Sequence, residues 1–96
     1  MAHLPRYDAV VRVAAEALER MRAGARYVRV EREESPEADG WARVTLRCEE
    51  EHGACEFLLP FGEQVEVIEP ATLRERIVAL AACVVAFYAA RDIRER

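Results

Sequence analysis

The apolar side chains recur at two different spacings, and each change of spacing marks an element boundary. Asp8 to Val13 is a short β-branched run, Ala9-Val10-Val11-Arg12-Val13, with the length of a strand. From Ala14 to Ala23 good helix formers take over, with Ala14, Leu18 and Met21 on one face and charges elsewhere, and Gly24 stops the helix. Arg26 to Glu33 alternates again, placing Val28 and Val30 on one side and Tyr27, Arg29 and Glu31 on the other. Ser35-Pro36-Glu37-Ala38-Asp39-Gly40 is a turn, after which Trp41 to Cys48 alternates with Ala42, Val44, Leu46 and Cys48 facing one way. These two runs predict a β-hairpin.

Glu49 to Leu59 reads as a weaker helix, interrupted by Gly53, with Ala54, Cys55, Leu58 and Leu59 as its apolar side and Pro60 and Gly62 ending it. Gln64 to Ile68 is a short strand with Val65 and Val67 inward. Pro70 stands where a first helical position is expected, Thr72-x-x-Glu75 has the form of a capping box, and the last helix runs to about Arg91. The order β-α-β-β-α-β-α predicts an α+β fold: a ferredoxin-like βαββαβ antiparallel sheet with an added C-terminal helix. Two helices then cover one sheet face and leave the other open. Residues 1–7, with His3 and Pro5 ahead of any periodicity, are expected to be a leader or the remnant of a linker, and residues 8–96 a single domain.

Composition narrows the function. The net charge of −4 argues against a dedicated duplex-DNA binder, which needs a surplus of cations to neutralise phosphates. All 14 cations are Arg, whose planar fork suits carboxylates and phosphates, although a GC-rich genome produces the same bias. Three Cys without paired spacing and no apolar N-terminal signal favour a reducing cytoplasm. The uncharged stretch from Ile77 to Ala90 is too short and too Ala-rich to span a bilayer.

Catalytic chemistry finds little support. Cys48-x3-His52-x2-Cys55 is the one cluster of metal-ligand types, and Glu51 or Glu56 could complete a tetrahedron. Cys48 ends a strand while Cys55 lies on a helix's apolar side, so both read as buried small residues and no metal is expected. Cys83 reads as core or interface filler. No nucleophile sits beside a base, no glycine-rich phosphate loop occurs, and neither an enzyme nor a cofactor is expected.

Strict alternation places Arg12, Tyr27, Arg29, Arg43, Thr45 and Arg47 on the open sheet face, a basic patch on an acidic chain with Trp41 beside it. Charge plus stacking there could hold a phosphate-bearing ligand such as a nucleotide or single-stranded nucleic acid. Alternatively, these Arg residues pair across strands with Glu31 and Glu66.

In the last helix, Leu73, Ile77, Leu80, Val84, Phe87 and Tyr88 form a stripe that the chain's own sheet could cover. Val78, Ala81, Ala82, Val85, Ala86 and Ala89 make the other sides apolar or small as well, and a helix apolar all round must be covered all round. A homodimer is expected, with Val78, Leu80, Val84, Val85, Phe87 and Tyr88 at its interface.

One segment resembles a known family. Leu59-Pro60-Phe61-Gly62-Glu63-Gln64-Val65-Glu66-Val67-Ile68-Glu69-Pro70-Ala71-Thr72-Leu73-Arg74-Glu75-Arg76-Ile77 is similar to the closing signature of the WCX domain, the C-terminal extension of WYL-domain bacterial transcriptional regulators. That signature is a Leu-x-Phe-Gly turn, a Val-Glu-Val strand, Glu-Pro, Leu-Arg-Glu and a final helix ending near a Tyr, here Tyr88. Ala71 departs from it, since relatives often carry a second Pro there. The resemblance covers residues 7 to 90 and implies a part of a regulator, without the winged helix-turn-helix or the Trp-Tyr-Leu motif of the other domains. The combined expectation is a non-catalytic module that senses a ligand and dimerises, contacting single-stranded DNA or a nucleotide effector. Its site would be the Arg-rich face, or the Phe61-Gly62 turn with Arg74 and Arg76. The alternative is a purely structural homo-oligomerisation domain without a ligand.

Overall fold

The computed structural model describes the backbone of residues 7–95 and the side chains of residues 7–92. Residues 1–6, most of the expected leader, lie outside the described residues. The first strand, β1 (Tyr7–Val13), is followed by a 3-10 turn over Ala15–Ala17 and helix α1 (Leu18–Ala23). Gly24 ends α1 at φ 63°, and a Cβ there would lie 2.7 Å from the Val28 carbonyl oxygen. Only glycine accommodates both the left-handed backbone and that approach.

Strands β2 (Val28–Glu33) and β3 (Ala42–Cys48) form the expected hairpin, with Gly40 at φ 85° in its turn. The connection is longer than six residues, because β3 begins at Ala42 and Trp41 belongs to the loop. Helix α2 (Glu51–Leu58) opens on Glu50, whose side chain accepts from the Gly53 amide. Gly53 therefore lies in the first turn and does not break the helix. An irregular 3-10 segment over Leu59–Gln64, kinked at Gly62, leads to β4 (Val65–Glu69).

The sheet order is β2-β3-β1-β4, with every neighbouring pair antiparallel. β3 is thus inserted between β1 and β2, the arrangement of a split βαβ unit. The expected inward set is buried: Val11, Val13, Val28, Ala42, Val44, Leu46, Cys48 and Val67 pack against Leu18 and Met21 of α1 and Ala54, Cys55 and Leu58 of α2. Val30 and Val65 are half-buried at the margins of the same core.

Helix α3 (Ala71–Glu95) departs from expectation at both ends. It begins one residue after Pro70, whose carbonyl accepts from the amides of Leu73 and Arg74, so Pro70 precedes the helix. Thr72 does not close a capping box with Glu75, because the helix starts at Ala71 and Thr72 already lies inside its first turn; Tyr7 donates to Glu51 at 3.3 Å. More consequentially, the sheet covers only the first two turns of α3. Leu73 is fully buried and Ile77 half-buried, but Leu80, Val84, Phe87 and Tyr88 are exposed, contrary to the expectation that the sheet could cover them. The helix projects past the domain, and the radius of gyration, 15.3 Å, exceeds the value of about 12.5 Å expected for a compact chain of this length. Among the described residues, no helix is long and apolar enough to cross a membrane.

Candidate functional site

Pleating and the hydrophobic core on one face determine which side chains stand on the other. Val11 and Val13 point inward, so Arg12 points outward between Arg43 on β3 and Glu66 on β4. Arg47 lies opposite Asp8 and Arg29, and Thr45 opposite Val10. Arg12, Arg29, Arg43, Thr45 and Arg47 therefore share the open face. Tyr27 does not join them: it precedes β2, beneath the Arg26 guanidinium, and lines a recess with Gly53, Phe57 and Pro60.

A β-bulge adds a residue that alternation alone misses. The register slips between Val30 and Arg32, so that Arg32 pairs with Thr45 on the open face and Glu33 with inward-facing Val44. Glu33 then meets Arg22 of α1 in a two-pronged ion pair at 2.9 and 2.7 Å, and this bond holds its carboxyl below the usual range. The sequence signal was available: Arg32 and Glu33 carry charges of the wrong sense for an uninterrupted alternation against α1.

The five Arg residues of this face fall into two groups. Arg12 is occupied by Asp39 at 2.7 Å, Glu37 at 3.0 Å and Glu66 at 3.4 Å, and its guanidinium lies 5.3 Å from the Trp41 ring centre. Asp39 is itself held ionised, first by the Trp41 amide and then by Arg12. Arg47 pairs with Glu31 at 2.9 Å, while its buried Nε, 3.7 Å from Asp8, has no hydrogen-bond partner. The cross-strand pairing with Glu31 and Glu66 is therefore present, but for these two Arg residues only. The guanidinium groups of Arg29, Arg32 and Arg43 have no ion pair or hydrogen bond among the described residues.

Arg74 and Arg76, at the base of α3, diverge. Arg74 donates to the Val67 carbonyl and pairs with Glu66 at 3.6 Å, so Glu66 links it to Arg12; Arg76 reaches Glu51 on α2. The Phe61 ring is buried edge-on to Phe57 under Arg20, which leaves only Gly62 of the Phe61-Gly62 turn at the surface.

The metal-like cluster is dispersed. Cys48 and Cys55 are buried, His52 points outward to Glu56, and no group of three or more ligand-type side chains gathers among the described residues. Burial pushes the Cys48 thiol up to about 11, far from the thiolate a metal needs. Cys83 is exposed on α3, which removes it from the core.

Two comparisons with known proteins bear on this arrangement. The family model of the WCX domain matches residues 5–85. The structure of proteasome accessory factor B/C (PafBC) of Arthrobacter aurescens is similar, with a TM-score of 0.59 at 22% identity, covering 81% of this chain and 12% of that one. No curated protein matches the chain. The likeness to PafBC concerns the fold, and the chain corresponds to a small part of that protein's length. The match over most of the sequence, on the sheet and helices described above, places this chain in the WCX-domain family.

Proposed function

We propose that this chain is a non-catalytic module at the C-terminal end of a cytoplasmic WYL-family transcriptional regulator, where it pairs with a second copy and contributes to sensing an effector. The observation that carries the reading is α3 beyond Ile77. Val78, Leu80, Val84, Val85, Phe87 and Tyr88 are between 39% and 68% exposed. At roughly 150–230 Å² per side chain they leave about 600 Å² of apolar surface uncovered. Covering all six in both copies would bury about 1,200 Å², the lower bound of a stable interface, and takes more than one face of α3, because Leu80, Val84 and Phe87 lie about 100° or more round the helix from Val78 and Val85. Other domains of the regulator are the remaining partners the family context supports.

For the effector, Arg29, Arg32 and Arg43 form the unneutralised part of the open face, with Thr45 between Arg32 and Arg43. Three uncommitted guanidinium groups on a rigid sheet suit phosphate groups of a single strand or nucleotide. The purely structural reading draws support from Arg12 and Arg47, whose charges are already balanced within the chain. Titration of a labelled single-stranded oligonucleotide separates the two. Sensing requires salt-dependent binding that Arg29→Ala and Arg43→Ala both weaken; no salt-dependent signal leaves the structural reading. Light scattering on the wild-type chain tests pairing, and a monomer at all accessible concentrations would refute it.

A further inference from the structure

The exposed part of α3 carries a seam with a particular symmetry. Arg74, Val78, Ala81, Val85, Tyr88 and Asp92 follow one another at alternating intervals of four and three residues, which places them on one face of the helix. The face is apolar in the middle and bears opposite charges at its ends. Resting on the pairing proposed above, we infer that α3 packs antiparallel against α3 of a second copy along this face. Arg74 then meets the partner's Asp92, Val78 the partner's Tyr88, and Ala81 the partner's Val85, and each contact recurs across the two-fold axis.

Three observations favour this occupant and this direction. Charge comes first: Asp92 has no ion pair among the described residues, and Arg74 uses only Nη1 within its own chain. A parallel pair would set Arg74 against Arg74 and Asp92 against Asp92. Shape comes second. At the base of α3 lies an apolar cleft of about 260 Å³ between Val78 and Ala81 on the helix and Leu58, Leu59, Gly62 and Val65 on the domain. The antiparallel register brings the partner's Tyr88 over this cleft, and its rim is open at Gly62, where an added Cβ would meet nothing within 4 Å. Size comes third: small Ala81 faces larger Val85, so the helices approach closely over a seam of about 27 Å.

Cys83 falls on the opposite side of the helix from the seam, so crosslinks can be introduced independently of it. In the full chain, Asp92→Arg should raise the dimer dissociation constant roughly ten-fold, because symmetry converts two rim contacts into repulsions. Adding Arg74→Asp should restore the wild-type value. In a Cys83→Ser background, Val78→Cys with Tyr88→Cys should give a covalent dimer with a short bis-maleimide, whereas Tyr88→Cys alone, whose two copies stand about 15 Å apart along the axis, should not. A wild-type monomer would overturn both the pairing and the seam. A wild-type dimer with neither charge rescue nor the double-cysteine crosslink would overturn the seam alone, as would efficient crosslinking through Tyr88→Cys by itself, which marks a parallel pair.

Discussion

Leu73 and Val85 stand on the same helix, twelve residues apart, and they should respond oppositely to truncation. Leu73 is fully buried where α3 meets the core, whereas Val85 is 68% exposed. Leu73→Ala removes three buried carbon positions, worth roughly 0.8 kcal/mol each in transfer, and the unfilled space brings the expected cost to about 3 kcal/mol. For a domain of this size that is a fall in Tm of roughly 12–24 °C, or a urea midpoint lower by about 1–3 M with an unchanged slope. Val85→Ala removes groups already in water and should cost less than about 0.5 kcal/mol in the dilute monomer. Urea unfolding followed by far-ultraviolet circular dichroism at several protein concentrations measures both. The Leu73→Ala shift should be independent of concentration, while any Val85→Ala effect should appear only where the chain is dimeric. A Leu73→Ala cost below about 1 kcal/mol would refute the assignment of Leu73 as the anchor of α3.

Gly24→Ala should destabilise the fold by more than the ~1 kcal/mol of backbone strain alone, because its Cβ meets the Val28 carbonyl, whereas Gly62→Ala should cost only the strain; thermal melts of the two variants compare them directly. The Arg22–Glu33 pair predicts acid sensitivity with a definite sign. Because the Glu33 carboxyl titrates lower in the folded chain than in the unfolded one, its contribution is complete above the ordinary glutamate range near ~4.3 and is lost as pH falls through and below it. A Tm-versus-pH profile of Glu33→Gln should lack that part of the acid slope, and a profile parallel to wild type would refute the pairing.

Much of the fold was legible because local rules and the global arrangement agree. Seven consecutive residues of β3 alternate without exception, Gly24 and Gly40 stand where the backbone needs a positive φ, and the helical periodicity of α1 returns Leu18 and Met21 to the core. Errors arose where a residue type has two good uses. Thr72 and Glu75 fit a capping box by spacing, but the helix already begins at Ala71; Gly53 resembles a helix break yet lies in a capped first turn. Of the candidate site, Arg12, Arg29, Arg43 and Arg47 could be named from alternation, whereas Arg32 could not. Which of them remain uncommitted could not, because Glu37 and Asp39 reach Arg12 from a loop whose path spacing does not specify.

Residue order alone was enough for the antiparallel sheet, the side of each strand that meets the helices, and the apolar or small character of the last helix on every side. Periodicity and apolar content are local properties, so they can be read without knowing where the chain goes. It took the folded chain to reveal that α3 leaves its own domain after Ile77, that a bulge in β2 turns Arg32 outward and Glu33 toward Arg22, and that Arg12 is closed off while Arg29 and Arg43 stay open. Each of these depends on register, or on contacts between residues far apart in the chain, and a one-residue slip reverses the outcome while leaving the hydrophobic pattern untouched.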